Sequence, residues 1–249
     1  MIVVSQSHGG KLVALVQARM GSTRLPGKVL RSLAGKTVLK RVLERVASVP
    51  GIDQVVCATS DDAENDPVAA EASKAGFTVF RGDEKDVLSR HYLAAKEVEA
   101  DAVLRITSDC PLADADPIGL ILKDFAMGGA DLVTNNDVRS WPHGLDAEVF
   151  TMAALKEAHV EATLPYEREH VTPFIKMRRD RYSIRNVECP HPHYAGQRWT
   201  LDTAADWAFF EALFMAFGAG IETASWREIA AFVETTDLPE PGDHAKEDS

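Results

Sequence analysis

Short apolar runs alternate with amphipathic stretches over the first half of the chain. Residues 12–18 form an apolar run whose length suits a buried strand. A Gly/Pro loop follows. Val38, Leu39, Val42, Leu43 and Val46 then recur at the spacing of one helix face. QVVCAT at 54–59 predicts a second strand, and 61–75 a helix that stops at Gly76. FTVF at 77–80 predicts a third strand. A helix is expected over 86–98, with Val87, Leu88, Tyr92 and Leu93 inward, then a strand at 102–107 (AVLRIT) and a helix after Pro117. Such alternation predicts a mostly parallel sheet wrapped by helices.

The rhythm changes near Asn135. WPHGLDAEVF at 141–150 mixes turn residues with a short strand. Helices are expected over 152–162 and 167–177. RYSIRNVE alternates like a strand with one exposed face, CPHPHYAGQ reads as a loop, RWTL as a strand, and 203–216 as an apolar helix. Asp146 and Glu148 lie two apart, which puts both carboxylates on one strand face.

Composition narrows the picture. The chain has 249 residues, 45% hydrophobic and 26% charged, as expected of one globular α/β domain. This reading places a single domain at 11–236, with a loose leader at 1–10 and a polar, disordered tail at 239–249. No apolar run reaches the ~18 residues of a membrane span, and no membrane partner is expected. Cys57, Cys110 and Cys189 make no disulfide framework, which fits reduced thiols and a cytoplasmic location. The net charge of −11 argues against nucleic acid as a partner.

Against that acidity, Arg19, Arg24, Lys28, Arg31, Lys36, Lys40, Arg41 and Arg45 crowd the region after the first strand, with Glu44 the one acid among them. A strand that ends in a Gly-containing turn offers backbone N–H groups to a phosphate. The loop is neither GxxxxGK[ST] nor GxGxxG. Lys40, Arg41 and Arg45 read as a solvated helix face. HPH at 191–193 has no ligand set of fixed spacing around it and reads as a loop histidine pair rather than a zinc site. Cys110 has no nearby base to make it a nucleophile.

Three motifs carry a family resemblance. ARMGSTRLPGKVL (18–30) resembles the signature loop of the cytidylyltransferases that make CMP-activated sugar acids, such as CMP-Kdo and CMP-sialate synthetases. RITSDCPLADAD (105–116) resembles their strand-end acid followed by Pro-Leu, and RWTLDTAADW (198–207) their late Asp-Thr-x-x-Asp segment. RGDEKDVLSRH and WPHGLDAEVF are similar to the spore-coat polysaccharide biosynthesis protein F group. Ser108 and Cys110 depart from the Gly and Glu of the Kdo-type motif, a departure that bears on the acceptor rather than the metal.

The resemblance implies a three-layer α/β/α, Rossmann-like (GT-A-like) nucleotidyltransferase fold, with an irregular insertion near 138–197 for acceptor binding and homodimer contact. It implies transfer of CMP from CTP to a sugar acid with release of pyrophosphate. Ala18, Arg19, Met20, Gly21, Ser22, Arg24 and Lys28 would hold the nucleotide, with Ser60, Arg81 and Thr107 near the base. Asp109 and Asp202 would share Mg²⁺, and Arg19 and Lys28 would act with them in catalysis. Asp146, Glu148 and His170 are the acceptor candidates. Two rival readings are a GT-A glycosyltransferase, because DAD at 114–116 matches DxD, and a non-catalytic CTP-binding module.

Overall fold

A computed structural model describes residues 10–242. The leader through residue 9 and the tail from 243 lie outside the described residues. The first strand, β1 (Leu12–Gln17), leads through a basic loop and a single 3-10 turn into a small hairpin, β2 (Ser32–Leu33) and β3 (Lys36–Thr37). Next come α1 (Val38–Ala47), β4 (Gln54–Ser60), α2 (Asp66–Lys74), β5 (Thr78–Gly82), α3 (Val87–Glu97), β6 (Ala102–Thr107) and α4 (Ala115–Ala126). The second half holds β7 (Leu132–Thr134), β8 (Glu148–Thr151), α5 (Met152–Glu161), α6 (Pro165–His170), α7 (Pro173–Lys176), β9 (Ile184–Asn186), α8 (Ala204–Phe217) and α9 (Trp226–Thr235).

The main sheet has the order β5-β4-β1-β6-β8-β7-β9. β5, β4, β1 and β6 are parallel, and β8 runs antiparallel to both β6 and β7. The period-two alternation of β1 splits the core. Ala14 and Val16 join Leu39, Val42, Val46 and Ile121 on one face, while Val13 and Leu15 join Leu88, Phe150, Leu155 and Phe174 on the other. A third apolar cluster, built on Trp141, Trp199, Trp226, Phe210 and Leu213, lies around α8 and α9. Helices therefore flank a mostly parallel seven-stranded sheet, and the C-terminal edge of β1, β4 and β6 gathers the loops after each strand.

Local chemistry explains the boundaries. Thr37 caps α1 by accepting from Lys40 N–H, and Asp86 caps α3 by accepting from Ser89 N–H. The helix expected at 61–75 splits into a 3-10 turn and α2, because Pro67 restarts it at a first-turn position. The helix expected at 167–177 splits into α6 and α7. Val171 has φ 71°, which breaks the helix, and Pro173 takes a first-turn position of α7. RWTL is not a strand of the sheet. It makes one bridge, Arg198 to His143. Val87 and Leu88 are buried as expected, but Leu93 faces outward at 42% exposure, and Arg90, His91, Ala94 and Ala95 complete the buried side of α3.

Arg41 and Arg45 correct the expectation of a solvated face. Arg41 is 1% exposed, donates to Leu33 O, pairs with Glu222, and lies 4.5 Å over the Phe214 ring. Arg45 donates to Ala113 O and Ile221 O. The C-terminal helices cover α1, so these guanidiniums fasten the covering layer. Lys40 stays half-exposed beside Glu44. The segment Ala204–Glu222 is long and apolar enough to cross a membrane by length and composition; here Phe209, Phe210, Leu213 and Phe214 pack into the third cluster.

Candidate active site

The loop after β1 is built to aim one lysine. Met20 N–H donates to Asn65 Oδ1 at 2.8 Å, and Met20 O accepts from Ser22 and Gly27. Leu25 N–H donates to Ser22 Oγ. Gly27 sits at φ +66°, where a side chain would be strained and its Cβ would press on Met20 at 3.3 Å. That left-handed turn starts the 3-10 turn at Lys28 and sends its side chain inward, 11% exposed.

Lys28 Nζ meets Asp109 Oδ2 at 3.1 Å and Asp202 Oδ1 at 2.7 Å. The carboxylates lie 93 positions apart in the chain, yet Leu201 N–H donates to Asp109 O at 2.8 Å, so the segments that carry them are joined. Asp202 does not cap α8. Thr203 and Asp206 form the capping box, and Asp206 accepts from the N–H groups of Asp202 and Thr203. Asp206 also accepts from Arg198, whose other arm donates to Asp202 Oδ2 at 2.9 Å. Gly242 N–H donates to Asp206 Oδ1 as well. Burial works against charge on Lys28, but Asp109 and Asp202 outweigh it and hold the ammonium above its ordinary pKa. Burial would likewise raise Asp109, but Lys28 and the Thr107 hydroxyl keep it below the usual carboxylate range.

Two hollows meet at this pair. The first, about 430 Å³, is lined by Ala18, Arg19, Gly21, Ser22, Arg24, Lys28, Thr107 and His170 among others. The second, about 260 Å³, is lined by Arg105, Asn136, Arg139, His143, Asp146 and Glu148 among others. Thr107, Asp109 and Asp202 line both. Arg19 pairs with Glu84 at 3.3 Å and lies 3.9 Å from Glu169.

Several expected residues stand elsewhere. Met20 anchors the loop and packs on the core. Ser60 is buried against Asp62, and Arg81 donates to Ser60 O, Asp62 O and Asp66; neither lines the first hollow. Arg90 lines it instead, braced on Asp83 O. Its signal was present in RGDEKDVLSRH, but a lone arginine on a helix gives no hint that the helix closes a cleft. His170 borders the first hollow rather than the second, because α6 follows from α5 on the α3 side of the sheet. Glu148 lines the second hollow, but both its oxygens are taken: Arg105 and Lys176 each lie at 2.6 Å and Thr172 Oγ1 at 2.9 Å. Burial would raise its carboxyl, but the two cations hold it down at about 2. Asp146 faces Arg139 at 3.2 Å and His143 at 3.5 Å.

The rival motifs resolve into structural roles. Asp114 of DAD caps α4 and accepts from Trp226 N–H, and Asp116 pairs with Arg227. His191 and His193 stack edge to face. All three cysteines are free and buried, and burial pushes the Cys110 thiol well above its ordinary pKa. Among the described residues no group of three or more His, Cys, Asp or Glu forms a metal-ligand cluster; Asp109 and Asp202 are a pair.

The chain resembles known proteins in sequence and in fold. The chain is 33% identical over 213 residues to the spore coat polysaccharide biosynthesis protein SpsF of Bacillus subtilis, covering 83% of this chain and 88% of that one. It is 39% identical to the 3-deoxy-manno-octulosonate cytidylyltransferase of Maricaulis maris over 110 residues, 43% of this chain and 42% of that enzyme. Its fold matches a cytidylyltransferase structure from Leptospira borgpetersenii with a TM-score of 0.85 and 30% identity, over 90% of this chain and 94% of that one. The cytidylyltransferase family model matches residues 13–207, a span that holds the basic loop, Asp109, Asp202 and the sheet that joins them. The chain therefore belongs to the cytidylyltransferase family, and it is a CTP-dependent nucleotidyltransferase.

Proposed function

We propose that this protein transfers CMP from CTP to a hydroxyl of a sugar acid and releases pyrophosphate, in the biosynthesis of a surface polysaccharide or related glycan. The observation that carries the reading is the convergence of Asp109 and Asp202 on one cation where the two hollows meet. The first hollow takes the nucleotide and the second the acceptor, so the α-phosphorus would lie near Asp109 and Asp202, within reach of an acceptor hydroxyl. The relatives that carry 3-deoxy-manno-octulosonate and spore coat polysaccharide in their names favour a sugar acid.

The chain's own groups have separate tasks. Backbone at Gly21 and Ser22 and the cations Arg19, Arg24 and Lys28 bind and neutralise the triphosphate and then the departing pyrophosphate. Asp109 and Asp202 would hold Mg²⁺. They fit it because two carboxylates already converge on a single cation, the Lys28 ammonium, and Mg²⁺ takes few protein carboxylates beside phosphate oxygens and water. When bound, that ion supplies charge neutralisation at the phosphates. Asp146, His143 and Arg139 are placed to orient acceptor hydroxyls. Glu148, fully paired, holds Arg105 and Lys176 behind them. The same reading joins two copies through 138–197, a segment that exposes Val138, Val160, Tyr166 and Met177.

The test is a pyrophosphate-release screen with CTP and Mg²⁺ against Kdo-like, sialic and other sugar acids. Acceptor-dependent pyrophosphate with a CMP-sugar product supports the reading. Release of a nucleoside diphosphate from a sugar nucleotide would point to a glycosyltransferase instead. CTP binding with no turnover on any acceptor would favour a binding module.

A further inference from the structure

We propose that Lys28 is a place-holder for the divalent cation: in the nucleotide-free protein its ammonium occupies the point between Asp109 and Asp202, and the metal loads there only after a triphosphate draws that ammonium away. This rests on the reading of Asp109 and Asp202 as the metal pair. Lys28 Nζ lies 2.7 and 3.1 Å from the two carboxylates, and its side chain is 11% exposed. Two cations cannot share that point, because like charges a few ångströms apart in a partly dry site repel strongly.

Lys28 and Arg198, both cations on Asp202, differ in freedom. Arg198 is locked by Asp206 at 2.7 Å and by Thr200 O at 3.2 Å, so it stays. Among the described residues the Lys28 ammonium hydrogen-bonds the two carboxylates alone, on a flexible four-carbon stem. It also lines the hollow that holds Arg19 and Arg24. A triphosphate there offers the ammonium a new partner and frees two hard oxygen ligands in the same movement. Metal and nucleotide then strengthen each other's binding reciprocally, and the free protein does not hold the metal tightly.

The experiment counts free Mn²⁺ by electron paramagnetic resonance during titration of the nucleotide-free protein with Mn²⁺ alone. Mn²⁺ shares the preference of Mg²⁺ for carboxylate oxygen. Lys28→Met and Lys28→Ala should bind Mn²⁺ at least about tenfold more tightly than the parent, since a competing charge is gone. Adding Asp109→Asn to Lys28→Met should erase that difference. The rise in Tm on adding Mn²⁺ gives the same comparison for a variant that is only marginally stable. Equal Mn²⁺ affinity and equal Tm rise in parent and Lys28 variants would overturn the place-holder. A parallel titration separates the two ideas. If Mn²⁺ tightens CTP binding in the parent and not in Asp109→Asn, the metal pair stands even where the place-holder falls. If it tightens both equally, the metal pair is wrong and the place-holder falls with it.

Discussion

Lys28 shows how much one backbone conformation can decide. The positive φ of Gly27 turns the chain so that the next side chain reaches two acids from distant parts of the sequence. Lys28→Ala is expected to lower turnover by about 10²-fold, the usual scale for one preorganised charge at a site of charge development, as steady-state pyrophosphate release would measure. Glu148 makes a different kind of contribution. It is 3% exposed and paired with Arg105 and Lys176, which are 14% and 21% exposed. Glu148→Ala leaves two largely buried cations unpaired and should cost about 3–5 kcal/mol, read from urea unfolding. Its carboxyl is held at about 2, below the ordinary 4.5. The stability it supplies is therefore complete above pH 4.5 and is lost as pH falls through about 2.

At the scale of elements, α3 carries a second pH dependence that begins at higher pH. His91 is fully buried, shares a hydrogen bond with Val87 O, and has no partner on Nε2. Burial, with Arg105 nearby, pushes its pKa down to about 3 from 6.5. The unfolded chain takes up this proton first, so stability is full above pH 6.5 and declines toward pH 3 by up to about 1.4 kcal/mol per pH unit. His91→Phe should flatten that slope in urea midpoints taken from pH 7 to 4; an unchanged slope would show that His91 already carries its proton in the folded state. The sequence pattern exposed the strands of the first half because each is a short apolar run between turn residues. It missed β7, which is three residues long, and α9, although Ser225 and Glu228 form a capping box at its start, and it overextended 167–177, where the positive φ of Val171 breaks the helix.

On the scale of the whole molecule, the buried guanidiniums of Arg41 and Arg45 could not be read from spacing, because only tertiary packing decides that a third layer covers α1. The site was legible to a different degree. Motifs carried the basic loop and both aspartates: the loop holds a glycine turn, Asp109 follows β6, and Asp202 directly precedes the capping box of α8. Arg90, Arg105 and Arg198 are single charges whose roles depend on what the fold sets opposite them, so no local pattern marks them. The bond from Leu201 N–H to Asp109 O is the contact that makes one centre from these distant segments. Asp109→Asn and Asp202→Asn keep size and some hydrogen bonding while removing a hard anionic ligand. Each should abolish most turnover with the fold intact, and the two losses should not add, because both remove one shared function. The most direct measurement is calorimetric titration of CTP into the parent and both variants, with and without Mg²⁺. Mg²⁺ should tighten CTP binding in the parent and do so far less in either variant, while metal-free CTP binding through Arg19, Arg24 and Lys28 persists in all three. Equal enhancement by Mg²⁺ in parent and both variants would contradict a shared metal at Asp109 and Asp202.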